Sequence, residues 1–503
     1  MDGQTLRGRL AAAYGTPLEG VSLDWNEERD SAAISLADRI APMLGAPLPG
    51  AATANVDPPI GPPWPRWAAT AGSGSAESVR AVVEWAAARG ADFSAIEIRT
   101  SPEGNRSVFA KKHLWRQDRV MFVPRALMII DEDLDRSEVG ARLAEGRGDF
   151  DSLHTPFATW LALERARGDS PWRTYFQSLP ADPDLPAFRD AAELALLTDT
   201  AAVASAAGAR RNLDEDHARV VALLGAEAPE RAAMAWARAI TSSRLFKLTI
   251  EGHDRRAMVP VADFFDHSDG DTTWRYDDAE GGLIITAART IEEGEPIHLG
   301  YGSFPNAHFL THYGFAVPDN ADDVALLLFP PAADPLRDVI AACLWDQPLS
   351  APVELEVNTR IEGGMRRALS LARLRNASYR EILLSNDRGR FEERSYLWLH
   401  GDHDRAALEM IADAARAARA RIEDQAPIAE DASPWERTCA VVRAGERAIH
   451  DAVIALRERA EPYIADPTPW QWRHAAVSMD ILSRYADCLV RSYILMIADE
   501  LPR

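Results

Sequence analysis

Met258-Val259-Pro260-Val261-Ala262-Asp263-Phe264-Phe265-Asp266-His267-Ser268 is the stretch on which the reading of this chain turns. An apolar run leads into a short acidic turn that ends on a histidine. Thirty-four residues beyond His267 stands Tyr301, in Ile297-His298-Leu299-Gly300-Tyr301-Gly302, followed by Asn306 and His312-Tyr313-Gly314-Phe315. A tyrosine between glycines at a strand end can present its hydroxyl where the backbone comes close to a ligand. Strand-end tyrosines are mostly packing residues, so on the residues alone the signal is weak. The carboxylates of Asp263, Asp266, Asp269 and Asp271 lack the D-x-[DN]-x-[DN]-G register of a calcium loop, so no metal is expected there.

Around this stretch the pattern reads as strand at 257–261, 283–287 and 296–299. A second group of short strands is expected upstream at 94–100, 107–111 and 120–124, after a helix over 77–89 closed by Gly90. Between the two groups, from Pro156 to about Arg244, the chain is helical in period and rich in alanine. Beyond Asp319 it reads as long amphipathic helices at 336–344, 363–374, 405–422, 435–459 and 470–497, joined to the rest by an acidic run, 319–323, expected to be an exposed linker. Before residue 77, Pro58, Pro59, Pro62, Pro63 and Pro65 forbid a regular helix and predict an extended segment. Trp64 and Trp67 within it argue that it docks on the body of the protein.

The composition excludes several classes. The chain has 503 residues, with 55 Lys+Arg against 77 Asp+Glu and a net charge of −22. At about 150 residues per domain this suggests two to four domains. A 47% hydrophobic content is too high for a disordered protein. The negative balance disfavours nonspecific binding to nucleic acid or to an anionic membrane. Lysine occurs only at 111, 112 and 247. Cys343, Cys439 and Cys488 are odd in number and far apart, so neither a disulfide framework nor a cysteine zinc site is indicated. No run approaches the ~18 apolar residues of a membrane span and no secretory leader is evident, so a cytoplasmic location is expected. The sequence has no G-x-x-x-x-G-K-[ST], no G-x-G-x-x-G after a strand, no G-x-S-x-G and no H-E-x-x-H, which argues against a P-loop NTPase, a Rossmann dehydrogenase, an α/β-hydrolase and a zincin.

The order and spacing of the central residues resemble the SET-domain protein methyltransferases, in the subclass typified by the plant Rubisco large-subunit lysine methyltransferase and the actin histidine methyltransferase. That subclass carries "vPlaDmxNHs", then "a.r.i..GeEi..sYG", then "YGF". Here stand Val259 to Ser268 as quoted, then Ala288-Arg289-Thr290-Ile291-Glu292-Glu293-Gly294-Glu295-Pro296-Ile297, then Tyr301-Gly302 and Tyr313-Gly314-Phe315. Upstream, Ile96-Glu97-Ile98, Gly104-Asn105-Arg106-Ser107-Val108-Phe109-Ala110 and Val123-Pro124-Arg125 are similar to the opening strands. Ser242-Ser243-Arg244-Leu245-Phe246 is similar to the "SRxF" turn that closes the family's helical insertion. The resemblance covers about residues 77–503, strongly over 95–320.

It implies an α+β fold: a SET domain of short strands over 77–318, interrupted by a helical insertion at about 150–245. An N-terminal extension, 1–76, would precede it and an all-α substrate-binding domain, 319–503, would follow. It also implies an S-adenosyl-L-methionine-dependent N-methyltransferase whose acceptor is a lysine of a protein, with histidine, a small-molecule amine or a noncatalytic scaffold role as the alternatives. An acidic surface would suit a basic protein partner. By motif, Tyr301 is the catalytic residue at the end of the acceptor channel. Glu103, Gly104 and Asn105 belong to the first cofactor loop, Arg244 faces the cofactor carboxylate, Asp263, Asp266 and His267 flank the cofactor, and Phe315 packs on its adenine. Two positions depart from the pattern. Asn105-Arg106-Ser107 replaces a G-x-G, and Asp266 replaces the asparagine before the histidine, which keeps an acceptor oxygen but loses the amide donor and adds charge.

Overall fold

The computed structural model describes residues 61–67, 74–101, 106–333, 337, 352–358, 364–376, 401–423 and 431–465. Helix α1, Ala76–Ala87, starts where the Ser75 side chain accepts from the Ser78 amide, and it buries Val79, Val82 and Ala86. Strands β1, Ile96–Thr100, and β2, Arg106–Ala110, form an antiparallel pair. After β3, Arg119–Pro124, and the short β4, Ile129–Ile130, come the helices α2, Asp131–Asp135, and α3, Glu138–Glu145. A helical insert follows: α4, Thr155–Ala166; α5, Arg173–Ser178; α6, Ala191–Leu194; α7, Ala201–Leu224; and α8, Arg231–Arg244.

The chain then returns to β structure in β5, Leu245–Ile250; β6, His253–Met258; β7, Asp266–His267; β8, Thr272–Asp277; β9, Gly282–Ala287; and β10, Pro296–Leu299. These strands build three small sheets, ordered β1-β2-β10-β7, β3-β9-β8 and β4-β6-β5. The pairing that matters most is parallel: His298 of β10 faces Asp266 of β7, and Leu299 faces His267. It lays the strand leading to Tyr301 alongside the acidic turn, so residues thirty-four apart in sequence become neighbours.

The strand expected over 257–261 ends earlier, at Met258. Pro260 has no amide to donate, and Val261 takes φ +71 before a 3-10 turn, Ala262–Phe264. A β-branched residue at positive φ is strained. Here it is completely buried, and the packing around it holds the turn that aims Asp263.

The extended stretch before α1 docks as expected. Trp64 is buried, its amide donates to the Ala187 carbonyl at 2.7 Å, and its ring meets Phe188 edge-on at 5.3 Å. Arg210, a buried cation of α7, donates to the carbonyls of Gly61, Pro186, Ala187 and Arg189, which fastens the stretch to the insert. Inside the insert, Arg238 and the completely buried Asp216 pair at 2.6 Å, and Asp216 also accepts from the amides of Asp151 and Ser152. A buried ion pair is tolerable when the carboxylate's remaining valences are filled in this way, although Arg238 Nε stays without a hydrogen-bond partner.

Helix α9, Asn306–Tyr313, ends the β region. Downstream lie β11, Val324–Phe329; β12, Val353–Asn358; α10, Gly364–Asn376; α11, Gly401–Glu423; and α12, Pro434–Ala465. The region is helical as expected, and to the all-α layout the structure adds the antiparallel β11–β12 pair. The acidic run is not an exposed linker throughout: Asp323 is buried and accepts from the amide and side-chain nitrogen of Asn306 at 2.9 and 2.7 Å. Glu446 of α12 accepts from the Ala201 amide at 2.8 Å and ties the tail to the insert. The helices expected at 336–344 and 470–497 fall, apart from residue 337, outside the described residues. Among the described residues no helix is long and apolar enough to cross a membrane.

Candidate active site

The parallel pairing of β7 with β10 puts His267 and Tyr301 on one wall of a cavity of about 880 Å³. The Tyr301 amide donates to His267 Nδ1 at 3.1 Å, which fixes that nitrogen as an acceptor. The Tyr301 hydroxyl donates to the Phe265 carbonyl. Burial pushes the phenol above its usual range, and the nearby Asp266 and Asp263 charges add to the rise against Arg244. Tyr301 is therefore a neutral hydroxyl across the physiological range. The His267 ring lies among Phe309, Tyr301 and Phe315, with centroids 4.7, 5.1 and 5.8 Å away. Burial lowers its pKa, so it too is neutral at pH 7. Tyr313 stacks on Tyr301 at 4.9 Å and completes an aromatic wall.

Beside this wall the lining is polar. The Asp263 side chain is fully buried; its Oδ2 accepts from the Tyr175 hydroxyl at 3.1 Å and lies 3.9 Å from Arg244 Nε. Arg244 Nη1 donates to the Asp263 carbonyl at 3.1 Å. Asp263 Oδ1 and Arg244 Nε are buried without a hydrogen-bond partner. Burial raises the Asp263 carboxyl, and the charges of Arg244 and Arg106 pull it back. Arg106 donates to the Ser178 carbonyl and lies 4.6 Å over the Phe264 ring. Burial, with the like charge of Arg244, lowers its pKa to about 10, so it remains a cation at pH 7. Ser107 donates to Asp266 Oδ2 at 2.6 Å, so two departures from the family pattern touch each other.

A third side of the cavity is the 180–185 loop, held from both directions. Arg66 of the docked N-terminal stretch pairs with Asp182. Gly314, at φ +84, caps α9 so close to this loop that a Cβ there would lie 2.3 Å from the Asp184 carbonyl. No other residue fits that position without moving the wall.

Of the sequence-predicted site residues, Tyr301, Arg244, Asp263, Asp266, His267 and Phe315 all line this one cavity. Glu103, Gly104 and Asn105 lie outside the described residues, directly before Arg106, which lines it. Sequence reasoning missed Arg106 and Tyr175. The former sits in the triplet that was read only for its missing glycines. Tyr175 stands between Trp172 and Leu179-Pro180, and only the folded insert brings it under Asp263.

The arrangement can hold a ligand that combines an apolar face with charged groups of both signs, because two arginines and two aspartates line the cavity together with aromatics. A SET domain family model matches residues 105–302. Actin-histidine N-methyltransferase of Danio rerio is 25% identical over 254 residues, 48% of this chain and 43% of that protein. The Gallus gallus protein of the same name is 24% identical over the same shares. The chain thus spans less than half the length of the curated relatives it matches. Among solved structures, the SET domain of LSMT bound to lysine and AdoHcy superposes with a TM-score of 0.62 at 19% identity, covering 79% of this chain and 95% of that one. Rubisco LSMT bound to AdoMet gives 0.61 at 19% identity, covering 83% and 99%. The fold is thus shared with these solved structures, and residues 105–302 of this chain match the SET domain.

Proposed function

We propose that this chain is an S-adenosyl-L-methionine-dependent N-methyltransferase acting on a protein, with a lysine amine as the acceptor, and that it works in the cytoplasm. In this reading 77–318 is the catalytic unit and 319–503 docks the substrate. The observation that carries it is the convergence of the Tyr301 hydroxyl, two arginines, two aspartates and an aromatic wall on one cavity inside a SET domain.

The residues present fit the cofactor. Its carboxylate calls for the cations of Arg244 and Arg106, its ammonium for Asp263 or Asp266, and its adenine for the face of Phe315. The unpartnered Arg244 Nε and Asp263 Oδ1 are what a zwitterionic end would fill. When bound, the cofactor supplies an electrophilic methyl group on a sulfonium, transferred by direct in-line displacement. The work left to the chain is positioning and electrostatics. Tyr301, held neutral by burial, serves as a hydrogen-bonding group for the acceptor nitrogen and not as a base. The stacked Tyr301 and Tyr313 exclude water, and such desolvation favours the neutral, nucleophilic amine. A net charge of −22 suits a basic substrate segment.

The similarity to actin-histidine N-methyltransferases favours a second acceptor, an imidazole nitrogen. Incubating the full chain with methyl-labelled S-adenosylmethionine and host lysate, then locating the label by mass, decides between them. Label on lysine supports the proposal, label on histidine replaces the acceptor, and no labelled protein removes the activity.

A further inference from the structure

The helical insert reaches the cavity through α5, and the contact it makes there is polar and buried. Tyr175 is 0% exposed, and its hydroxyl donates to Asp263 Oδ2 at 3.1 Å. Three residues on, the Ser178 carbonyl accepts from Arg106, and the Ser178 hydroxyl turns back onto the Tyr175 carbonyl at 2.7 Å. The Gln177 carbonyl accepts from the Gly74 amide at 2.9 Å, so the helix is itself held by the segment before α1. One helical turn therefore fixes both an acid and a base of the cavity.

We propose that Tyr175 is a positioning residue of this site: its hydroxyl pins one oxygen of Asp263 and leaves Oδ1 as the acceptor for an N–H or O–H donor of the cavity's occupant. The inference rests on the methyl-transfer reading for the identity of that occupant, and on geometry alone for the role of the hydroxyl. A carboxylate with no fixed donor can rotate, and between two cations it would turn both oxygens toward the guanidiniums. The Tyr175 bond opposes that turn. It also stabilises the ionised carboxylate, because a donor favours the charged form. The groups facing Asp263 are Tyr175 of α5, Arg244 of α8 and Arg106 of β2, with burial acting against all three.

The sign of the effect follows. Removing the hydroxyl leaves burial and the two cations in place and takes away a contribution that lowers the Asp263 pKa, so the midpoint rises. In Tyr175→Phe the acid limb of the pH profile of methyl transfer should move up by about one pH unit, a tenfold change in proton affinity. Incorporating 3-fluorotyrosine at 175, which keeps the shape and strengthens the donor, should move it down. A purely structural role would lower the rate at every pH and leave the limb where it was.

The same midpoint can be read without turnover, by side-chain carboxyl ¹³C NMR of full-length protein labelled at aspartate Cγ, with Asp263→Asn assigning the resonance. A raised midpoint in Tyr175→Phe supports the proposal even where no methyl transfer is found, which would count against the proposed activity alone. An unchanged midpoint in both the Phe and the fluorotyrosine proteins overturns it.

Discussion

Ser107 and Asp266 are the two places where this chain leaves the family pattern and the structure describes the side chains, and they are hydrogen-bonded to each other at 2.6 Å. If the pair is a compensating unit, the two residues are energetically coupled, and a double-mutant cycle reads the coupling. The perturbations are Ser107→Ala, Asp266→Ala and both together. A hydrogen bond to a charged group contributes about 1.5–3 kcal/mol when well sheltered. Asp266 is exposed, and water competes for its carboxylate. The expected coupling is therefore the lower share, about 0.5–1.5 kcal/mol. In folding stability that is a departure from additivity of the same size. The assay is chemical denaturation of the four full-length proteins at one pH and salt. Should the double mutant's loss equal the sum of the single losses within about 0.3 kcal/mol, the pair is not a unit. The two departures would then be independent changes with separate costs.

Tyr301→Phe should lower methyl transfer by about a hundredfold, the usual cost of one positioned hydrogen-bonding group, and leave S-adenosylmethionine affinity within about threefold. Unchanged turnover would remove Tyr301 from its role. Gly314→Ala places a Cβ against the Asp184 carbonyl at a φ of +84, so a destabilisation of about 2–4 kcal/mol is expected in chemical denaturation. A loss below about 0.5 kcal/mol would show that the 180–185 wall yields freely. Burial pushes the Glu446 carboxyl well above the ordinary range, and Asp323 adds to the rise. A carboxyl raised by folding contributes stability that is complete below its unfolded pKa, about 4.3, and is lost as pH climbs through the folded value. Glu446→Gln keeps an acceptor for the Ala201 amide, so its melting temperature should fall less than wild type's between about pH 5 and about pH 8. Parallel curves would contradict the assignment.

Much of the cavity's lining was legible because its residues sit in two short, ordered motifs. Asp263, Asp266, His267 and Tyr301 could be named before the fold, since the parallel β7–β10 register that joins them is carried by the motifs on either strand. Strand limits were legible where period and punctuation agree, as at 296–299. The limit at Val261 was not, because its positive φ is imposed by tertiary packing that no propensity encodes. β5 was read only as a closing turn, although Leu245–Ile250 alternates buried and exposed residues along its length. β11, VALLLF, is apolar at every position, so hydropathy shows no period of two although its burial alternates between half-buried and buried residues. Asp323 looked like one more residue of an acidic linker. Its burial depends on Asn306, seventeen residues earlier, and composition says nothing of such a partner. Tyr175 was invisible for the same reason, eighty-eight residues from the aspartate it touches.

The central claim is that this cavity binds S-adenosylmethionine through its polar lining. Calorimetric titration of the full chain with S-adenosylmethionine tests it most directly, with Arg244→Ala as the companion protein. The account predicts saturable one-to-one binding that weakens by at least about tenfold, roughly 1.4 kcal/mol, when the guanidinium is removed. No heat of binding at millimolar cofactor, or an affinity indifferent to Arg244, would contradict it.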